Sequence, residues 1–267
     1  MIEVVRPGIA STFQDLGRPG LAHIGVGSAG AVDLGLAALV NRLVGNDPTS
    51  VVIETCGDLA IRTDAPAVVA SSAGLAPTTL TPGEQLVVPA GAHGRLWQYV
   101  AIGGGFDVGT VLGSASRDTL AGLGPEPLVA GQRVPVRPAA GGFTGVDHAP
   151  LHELDHVARI LSGPRREWFT DRSWHALLNA SWLVTTTSRV GVRLRGGTID
   201  RVDDRELPSE GLVRGAIQVP PGGEPVVMLA DHPTTGGYPV IAVVHPDDVA
   251  IVAQHSAGSA ITFRRYG

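Results

Sequence analysis

Glycine and proline interrupt this chain so often that few segments between them are long enough for an extended helix. The 36 glycines and 20 prolines make 56 of the 267 residues, about a fifth, where average usage gives roughly 12%. They are spread along the whole chain and separate short apolar or alternating runs, which is typical of strands joined by tight turns. The sequence therefore predicts a mainly β fold with a few short helices.

The strand candidates fall into two sets, one in each half of the chain. The first set is Ile2–Val5, Val51–Thr55, Leu59–Arg62, Ala67–Ser71, Leu86–Pro89, Arg95–Ile102 and Val134–Val136. The second is His156–Leu161, Trp182–Thr186, Val190–Leu194, Gly215–Val219, Val226–Leu229, Val240–Val244 and Ala260–Arg264.

Three helices are predicted, at Asp33–Leu43, Thr170–Leu178 and Pro246–Gln254. Asp33 is placed to cap the first helix, and Gly45 to end it. Pro246 stands in the first turn of the third helix, where its missing N–H group costs nothing.

The best candidate for a linker is Ala139–Pro150, which reads AAGGFTGVDHAP and is poor in large apolar residues. A chain of 267 residues fits two small domains. We therefore predict an N-terminal domain at residues 1–145 and a C-terminal domain at 146–267, with strands that can be exchanged between them.

Charge and cysteine content narrow the class of protein. The net charge is −5 and no basic stripe is present, which argues against a nucleic-acid partner. The single cysteine, Cys56, cannot form an internal disulfide, and no signal peptide or run of 18 apolar residues is visible. We expect a cytoplasmic protein with no membrane partner.

Histidines recur every four residues at His148, His152 and His156. On a helix this spacing would suit a metal, but Ala149-Pro150 disfavours a helix there. No metal site is predicted.

The first segment that suits chemistry is Thr12–Gly20, where two glycines and a proline fix a stiff turn. From this turn Gln14 can bind an amide through one donor and one acceptor, and Arg18 can bind a carboxylate or phosphate. Asp15 can orient Arg18 or act as a base. The alternative is a plain turn with an internal Asp15–Arg18 pair.

The second segment is Asp231–Pro239, in which two hydroxyls precede two glycines. Such a run can form a nest of backbone N–H groups for an anion or oxyanion. The alternative is a hairpin turn. The candidate substrate-binding residues here are Thr234, Thr235, Gly236, Gly237 and Tyr238.

Two further features are less specific. Gln218 lies inside an apolar strand and either braces a loop or faces a ligand, since a buried amide needs a partner. Gly103-Gly104-Gly105 follows a strand, but neither a GxGxxG motif nor a P-loop is present, so the chain itself has no recognisable ATP site.

The two segments also suggest an internal duplication. The Gln14–Leu21 turn leads through His23–Val26 to a helix headed by Asp33, and the Asp231–Pro239 turn leads through Ile241–Val244 to one headed by Asp247. Chance similarity between glycine-rich turns is the alternative. If the halves pack as a pair, the two loops would face each other.

Several sequence blocks together resemble one known family. They are Arg6-Pro7-Gly8, Thr12–Gly20, Asn41–Asn46, Ile53-Glu54-Thr55, Gly103–Val108, Val111–Ser114, Glu210-Gly211, Gly215–Pro220 and Thr234–Pro239. In this order the blocks are similar to the family variously called biotin-dependent carboxyltransferase, allophanate hydrolase subunit 2 or the C component of 5-oxoprolinase. The resemblance spans almost the whole chain.

This resemblance implies two cyclophilin-like β-barrel domains and partner subunits. One partner is an allophanate hydrolase subunit 1 or Kip-inhibitor-type protein, which is the B component of 5-oxoprolinase, and the 5-oxoprolinase version adds an A component. The implied reaction is ATP-dependent hydrolysis of 5-oxoproline to glutamate. The implied cofactors are ATP and Mg, which the complex rather than this chain can bind.

Two alternatives stay open within the family. One is a carboxyltransferase component of a urea carboxylase or allophanate hydrolase system that acts on a small amide. In urea carboxylases the same module is fused to a biotin carboxylase and a biotin carrier, which this sequence lacks, so biotin is not expected. The other is a non-catalytic regulator that binds a kinase-inhibitor-type partner.

One block departs from the family pattern. Where the family tends to have an Asn/Asp-Arg-Met-Gly-Tyr-Arg-Leu run, this chain has Ser188–Leu194, without the Met and Tyr but with Arg189. From the residue types of the Thr12–Gly20 turn we predict Gln14, Asp15 and Arg18 as catalytic residues. Arg189 and Gln218 join the Thr234–Tyr238 group as substrate-binding residues.

Overall fold

The computed structural model describes residues 1–139, 148–202 and 205–267, which form two compact units. The N-terminal unit contains Met1–Pro19, Ala29–Asp118 and Gly122–Glu153, and the C-terminal unit contains Gly20–Ser28, Thr119–Ala121 and Leu154–Gly267. The predicted boundary at 145/146 and most of the predicted linker lie outside the described residues. The end of that linker belongs to the N-terminal unit, where buried Ala149 donates its N–H to the Leu75 carbonyl at 2.8 Å.

Strands dominate the N-terminal unit, in agreement with the mainly β prediction. They are β1 (Ile2–Pro7), β2 (Thr12–Gln14), β3 (Val52–Thr55), β4 (Leu59–Thr63), β5 (Ala67–Ser71), β6 (Pro77–Leu80), β7 (Gln85–Val88), β8 (Gln98–Ile102) and β9 (Arg133–Val134). They form a four-stranded sheet in the order β7-β4-β1-β9 and a five-stranded sheet in the order β2-β3-β8-β5-β6. All the pairs in both sheets are antiparallel.

The core of this unit is built from side chains of both sheets. Phe13 of β2 lies against Phe106, with ring centroids 5.5 Å apart, and both side chains are almost fully buried. Around them pack Ile2, Val4, Ile53, Leu59, Ile61, Val69, Val88, Val100 and Ile102. Because β2 contributes to this core, the loop that follows it starts from a fixed point.

Helix α1 (Leu34–Leu43) packs on β8 and has the predicted cap. The Asp33 carboxylate accepts the Leu36 N–H at 3.0 Å. Gly45 follows the helix at a φ of 75°, which a glycine adopts without strain. Both end signals read from the sequence are therefore confirmed.

The C-terminal unit is a closed seven-stranded barrel with two helices and a small two-stranded sheet. Its strands are β10 (Val157–Ser162), β11 (Trp182–Thr187), β12 (Gly191–Arg195), β13 (Glu210–Gly211), β14 (Ala216–Gln218), β15 (Val226–Met228), β16 (Thr235–Gly236), β17 (Val240–Val244) and β18 (Ala260–Arg265). The barrel order is β10-β17-β14-β15-β12-β11-β18, and it closes through the parallel pair β10–β18. Strands β13 and β16 pair with each other outside the barrel.

The helices of this unit lie near the predicted positions. Helix α2 (Asp171–Asn179) is capped by Thr170, whose hydroxyl accepts the Ser173 N–H at 3.0 Å. Helix α3 (Val249–Gln254) follows a short 3₁₀ turn at Pro246–Asp248. No helix in the described part of the chain is long and apolar enough to cross a membrane.

One element of the predicted duplication is wrong. His23–Val26 is not a strand, because Ala22–Ile24 forms a 3₁₀ turn that Gly25 ends at a φ of 78°. The N–H of Gly25 bonds back to the Ala22 carbonyl at 2.9 Å, which a strand does not allow.

Candidate functional site

Asp15 lies just after β2 and holds the Ser114–Ser116 loop of the N-terminal unit. Its Oδ1 accepts the hydroxyls of Ser114 and Ser116 at 2.5 and 2.6 Å and the Gly17 N–H at 2.8 Å, and its Oδ2 accepts the Ala115 N–H at 2.7 Å. Four donors on one carboxylate make it an anchor between two loops.

Arg18 holds the same loop through its carbonyls and is only 2% exposed. Its Nε donates to the Val111 carbonyl at 3.2 Å, and its Nη2 to the carbonyls of Ser114 at 3.5 Å and Ser116 at 2.5 Å. Within the described residues Nη1 is buried without a hydrogen-bond partner. Asp15 and Arg18 thus act on one loop together, and each satisfies groups that burial would otherwise penalise.

Gln14 is fully buried in β2. Its Nε2 donates to the Thr12 hydroxyl at 2.9 Å and to the Arg117 carbonyl at 3.0 Å. Because both hydrogens of this amide are taken by protein oxygens, the side chain ties β2 to the Ser114–Arg117 region.

A buried polar cluster, which the sequence did not predict, holds the other side of the Asp15 loop. Tyr99 donates its O–H to Glu54 Oε2 at 2.8 Å, and the same oxygen accepts the Val32 N–H at 2.8 Å. The Tyr99 oxygen accepts the Asp33 N–H at 2.8 Å. Burial, and then the charges of Glu54 and Asp33, hold the pKa of the Tyr99 hydroxyl well above its ordinary value of 10.0. Glu54, a carboxylate inside an apolar strand, is the sequence feature that could have indicated this cluster.

This cluster is linked to the Asp15 loop by the backbone. The Ala31 N–H donates to the Asp15 carbonyl at 3.0 Å. At Gly30, with a φ of 93°, a Cβ would lie 2.8 Å from the Leu16 carbonyl oxygen, so only glycine allows this approach.

The C-terminal unit contains a buried ion pair between Arg189 and Asp231. Nε and Nη2 of Arg189 donate to the two carboxylate oxygens of Asp231 at 2.9 and 2.8 Å, and the two residues are 3% and 0% exposed. Asp231 Oδ2 also accepts the N–H and the hydroxyl of Thr119 at 2.8 and 2.7 Å. A buried pair of this kind fixes the geometry of the turns that carry it, and loss of either partner leaves a buried charge.

The predicted backbone nest at Thr234–Gly237 is not formed. Thr235 and Gly236 form β16, which pairs with β13, and neither Gly236 nor Gly237 has the positive φ of a nest. Gly236 instead makes room for a side chain, because a Cβ there would lie 2.7 Å from Gln218 Nε2.

Gln218 is 3% exposed and braces this segment by donating from Nε2 to the Tyr238 carbonyl at 2.9 Å. Tyr238 itself is 45% exposed, and Thr235 and Gly237 are exposed as well. The Thr235–Tyr238 segment therefore presents a hydroxyl and a phenol ring on a backbone that Gln218 braces.

The glycine-rich turn at Gly103–Gly105 is occupied by protein. The Gly104 N–H donates to Asn46 Oδ1 at 3.0 Å, and a Cβ at Gly104 would lie 2.1 Å from the Arg137 carbonyl oxygen. The turn does not fit a phosphate cradle. Within the described residues no group of three His, Cys, Asp or Glu side chains could hold a metal ion.

The chain matches a known family over most of its length. The model of the carboxyltransferase domain, subdomains A and B, matches residues 24–265. This chain belongs to the carboxyltransferase-domain family. The match includes most of both units, the Arg189–Asp231 pair and the Thr234–Tyr238 segment, and it begins after Gln14, Asp15 and Arg18.

Relatives of this carboxyltransferase-domain chain include single subunits and much larger proteins. It is 33% identical to the C component of 5-oxoprolinase from Escherichia coli K12 over 281 residues, 98% of this chain and 90% of that protein. The solved urea amidolyase of K. lactis is 25% identical, with a TM-score of 0.91, over all of this chain and 19% of that one. The solved structure of TTHA0988 is 30% identical, with a TM-score of 0.88, over 98% of this chain and 55% of that one. The carboxyltransferase-domain chain thus spans about half of the TTHA0988 chain and about a fifth of the urea amidolyase chain.

Proposed function

We propose that this chain is part of an enzyme complex that hydrolyses a small amide, and that the substrate is the lactam 5-oxoproline. The observation that supports this most is the 33% identity to the C component of E. coli 5-oxoprolinase over 98% of this chain and 90% of that protein. By this proposal the chain works with two further subunits, of the types found as the A and B components of 5-oxoprolinase.

The exposed groups of the C-terminal unit are proposed to contact the substrate. Thr235 and Tyr238 offer a hydroxyl and a phenol at the surface, which can hydrogen-bond an amide and a carboxylate. Gln218 and the Arg189–Asp231 pair are buried and are proposed as positioning residues, since their polar atoms bind protein partners.

In the N-terminal unit the predicted catalytic residues are proposed to position a loop. Gln14, Asp15 and Arg18 all bind the segment from Val111 to Arg117. Rigid support of this kind keeps reacting groups in place, which is worth several kcal/mol in enzymes generally. Arg18 Nη1 is buried without a described acceptor, so the guanidinium is proposed to act on this loop rather than directly on the substrate.

ATP is proposed to bind to a partner subunit. When bound there, ATP would activate the amide carbonyl, which is otherwise a poor electrophile. The Gly103–Gly105 turn supports ATP binding elsewhere, because the Gly104 N–H donates to Asn46 and the turn packs against the Arg137 backbone.

A second candidate is the carboxyltransferase component of a urea carboxylase system. It is favoured by the superposition of all of this chain on K. lactis urea amidolyase with a TM-score of 0.91. The two candidates differ in substrate, since 5-oxoproline carries a carboxylate and urea does not.

A substrate comparison separates the two. The chain, copurified with subunits of the A and B types of 5-oxoprolinase, is given 5-oxoproline with ATP, or urea with ATP, bicarbonate and a biotinylated carrier. Glutamate release with no urea carboxylation supports the first proposal. Carboxylation of urea without glutamate release would replace it with the second.

A further inference from the structure

In the described structure the His232 ring forms a hydrogen bond through Nδ1 and none through Nε2. The residue directly follows Asp231 in the C-terminal unit and is 8% exposed. Its Nδ1 lies 2.8 Å from the Pro233 carbonyl oxygen. Because a carbonyl oxygen only accepts, Nδ1 must carry the hydrogen.

The opposite nitrogen is then a base. With the hydrogen on Nδ1, the neutral ring has its lone pair on Nε2. Among the described residues Nε2 has no hydrogen-bond partner. It is also not among the solvent-inaccessible nitrogen and oxygen atoms that lack a partner, so it is accessible to solvent. The lone pair therefore reaches the surface from a ring that is mostly buried.

The backbone around His232 is fixed on both sides. Asp231 is held by Arg189 and by Thr119, and the Asp231 N–H donates to the Arg189 carbonyl at 2.9 Å. The His232 N–H lies 3.3 Å from the Leu229 carbonyl oxygen. A general base needs this kind of fixed position within reach of the proton it removes.

We propose that His232 is a catalytic residue of this chain, with Nε2 as the general base toward the amide substrate. The inference rests on the proposed function. It adds a proton acceptor to the segment that already presents the exposed Thr235 and Tyr238.

The proton balance of this step is closed. Nε2 takes a proton from the water whose oxygen bonds to the amide carbonyl carbon. As the bond from that carbon to nitrogen breaks, the imidazolium returns the proton to the leaving nitrogen. Where ATP has phosphorylated the carbonyl oxygen, ring opening leaves an acyl phosphate, and a second water converts it to the carboxylate and inorganic phosphate. The hydrogen on Nδ1 stays bonded to Nδ1 and is donated to the Pro233 carbonyl oxygen throughout, which stabilises the imidazolium.

Two variants separate this role from support of the turn. His232→Asn places an amide N–H where Nδ1–H donates to Pro233 but has no atom at Nε2. His232→Gln places an amide near Nε2 and loses the bond to Pro233. Both are expected to lower kcat of glutamate release by the complete complex about 100- to 10,000-fold, with unchanged complex formation. The control His175→Gln, at an exposed position of α2, is expected to retain full activity.

Retention of activity by His232→Asn with loss in His232→Gln would overturn the inference, because the residue would then only brace the turn. An activity-independent readout covers the case in which 5-oxoproline is not the substrate. In the ¹⁵N NMR spectrum of the neutral His232 ring we expect a protonated Nδ1 and an unprotonated Nε2. The opposite tautomer would overturn the inference whatever the substrate, whereas an inactive wild-type complex with the expected tautomer would count against the proposed function alone.

Discussion

At the scale of single residues, a charged side chain in a glycine-rich turn can serve a ligand or its own loop. Asp15 and Arg18 were selected from the sequence because their residue types suit catalysis. The structure shows both bound to the Val111–Ser116 segment, about a hundred positions away in sequence. Sequence alone identifies such residues but not these partners, since the contacts depend on how distant loops meet.

The Asp15 carboxylate should be essential for the stability of the N-terminal unit. Asp15→Asn replaces an acceptor oxygen with an NH₂ group that faces donors, so we expect the free energy of unfolding to fall by about 2–3 kcal/mol. Urea denaturation measures it. The control Asp107→Asn breaks an exposed pair with Arg137 and should cost less than about 0.5 kcal/mol. An equal loss in both variants would contradict the anchoring role.

The Tyr99 hydroxyl should support the segment before α1. Tyr99→Phe removes a donor to Glu54 and an acceptor for the Asp33 N–H, both buried. We expect a loss of about 1–3 kcal/mol in the free energy of unfolding. Tyr266→Phe, at a position 47% exposed, is the matched control and should be nearly neutral. A neutral Tyr99→Phe would show that this cluster does not hold the segment.

At the scale of elements, α3 is attached to the barrel by an ion pair. Nε and Nη2 of Arg159 in β10 donate to the Asp248 carboxylate at 2.8 and 2.6 Å, and the Arg159 N–H donates to it at 2.7 Å. These hydrogen bonds with Arg159 lower the pKa of Asp248 below its ordinary value of 3.8. The carboxylate therefore stays ionised to lower pH in the folded chain than in the unfolded one.

This lowered pKa gives the attachment a pH dependence. Its contribution is fully present well above pH 4 and is lost as pH falls through the folded-state pKa. Asp248→Asn should cost about 2 kcal/mol at pH 7, and the difference from wild type should shrink as the pH falls below about 4. Urea denaturation across this pH range measures it. The adjacent Asp247→Asn, at a carboxylate 77% exposed, should cost little at any pH. A difference that stays constant down to about pH 2 would contradict the account.

The elements themselves were predicted well where local pattern decides. The three helices were predicted near their observed positions, and the predicted Asp33 cap of α1 is confirmed. The Thr170 cap of α2 was not identified from the sequence, and α3 is preceded by Asp248 rather than headed by Asp247. Four strands were not predicted: β2, β6, β13 and β16. Each is only two to four residues long. Strands β2, β13 and β16 pair with partners far away in sequence, whereas β6 pairs with the neighbouring β5.

At the scale of the whole molecule, the mainly β class followed from the spacing of turn residues, and the closed barrel completes it in the C-terminal unit. The assignment of chain segments to the two units could not be predicted from the sequence. Gly20–Ser28 and Thr119–Ala121 belong to the C-terminal unit although both lie far earlier in the chain. No local pattern marks such segments, because the hydrogen bonds from Thr119 to Asp231 join residues 112 positions apart.

In the candidate site, too, local sequence identified residues but not the contacts that distant segments make. Residue types pointed to Gln218 and the Thr234–Tyr238 segment, and the family resemblance pointed to Arg189. The strand conformation of Thr235-Gly236 depended on pairing with Glu210-Gly211 and was mistaken for a nest. The roles of individual residues in the reaction stay predictions.

The most direct test of the proposed function is glutamate release from 5-oxoproline in the presence of ATP. The assay uses this chain combined with 5-oxoprolinase subunits of the A and B types, and a matched sample of these subunits without the chain. We predict glutamate formation that requires the chain, the partners and ATP together. An intact complex that releases no glutamate, or partners that release it equally well without this chain, would contradict the proposal.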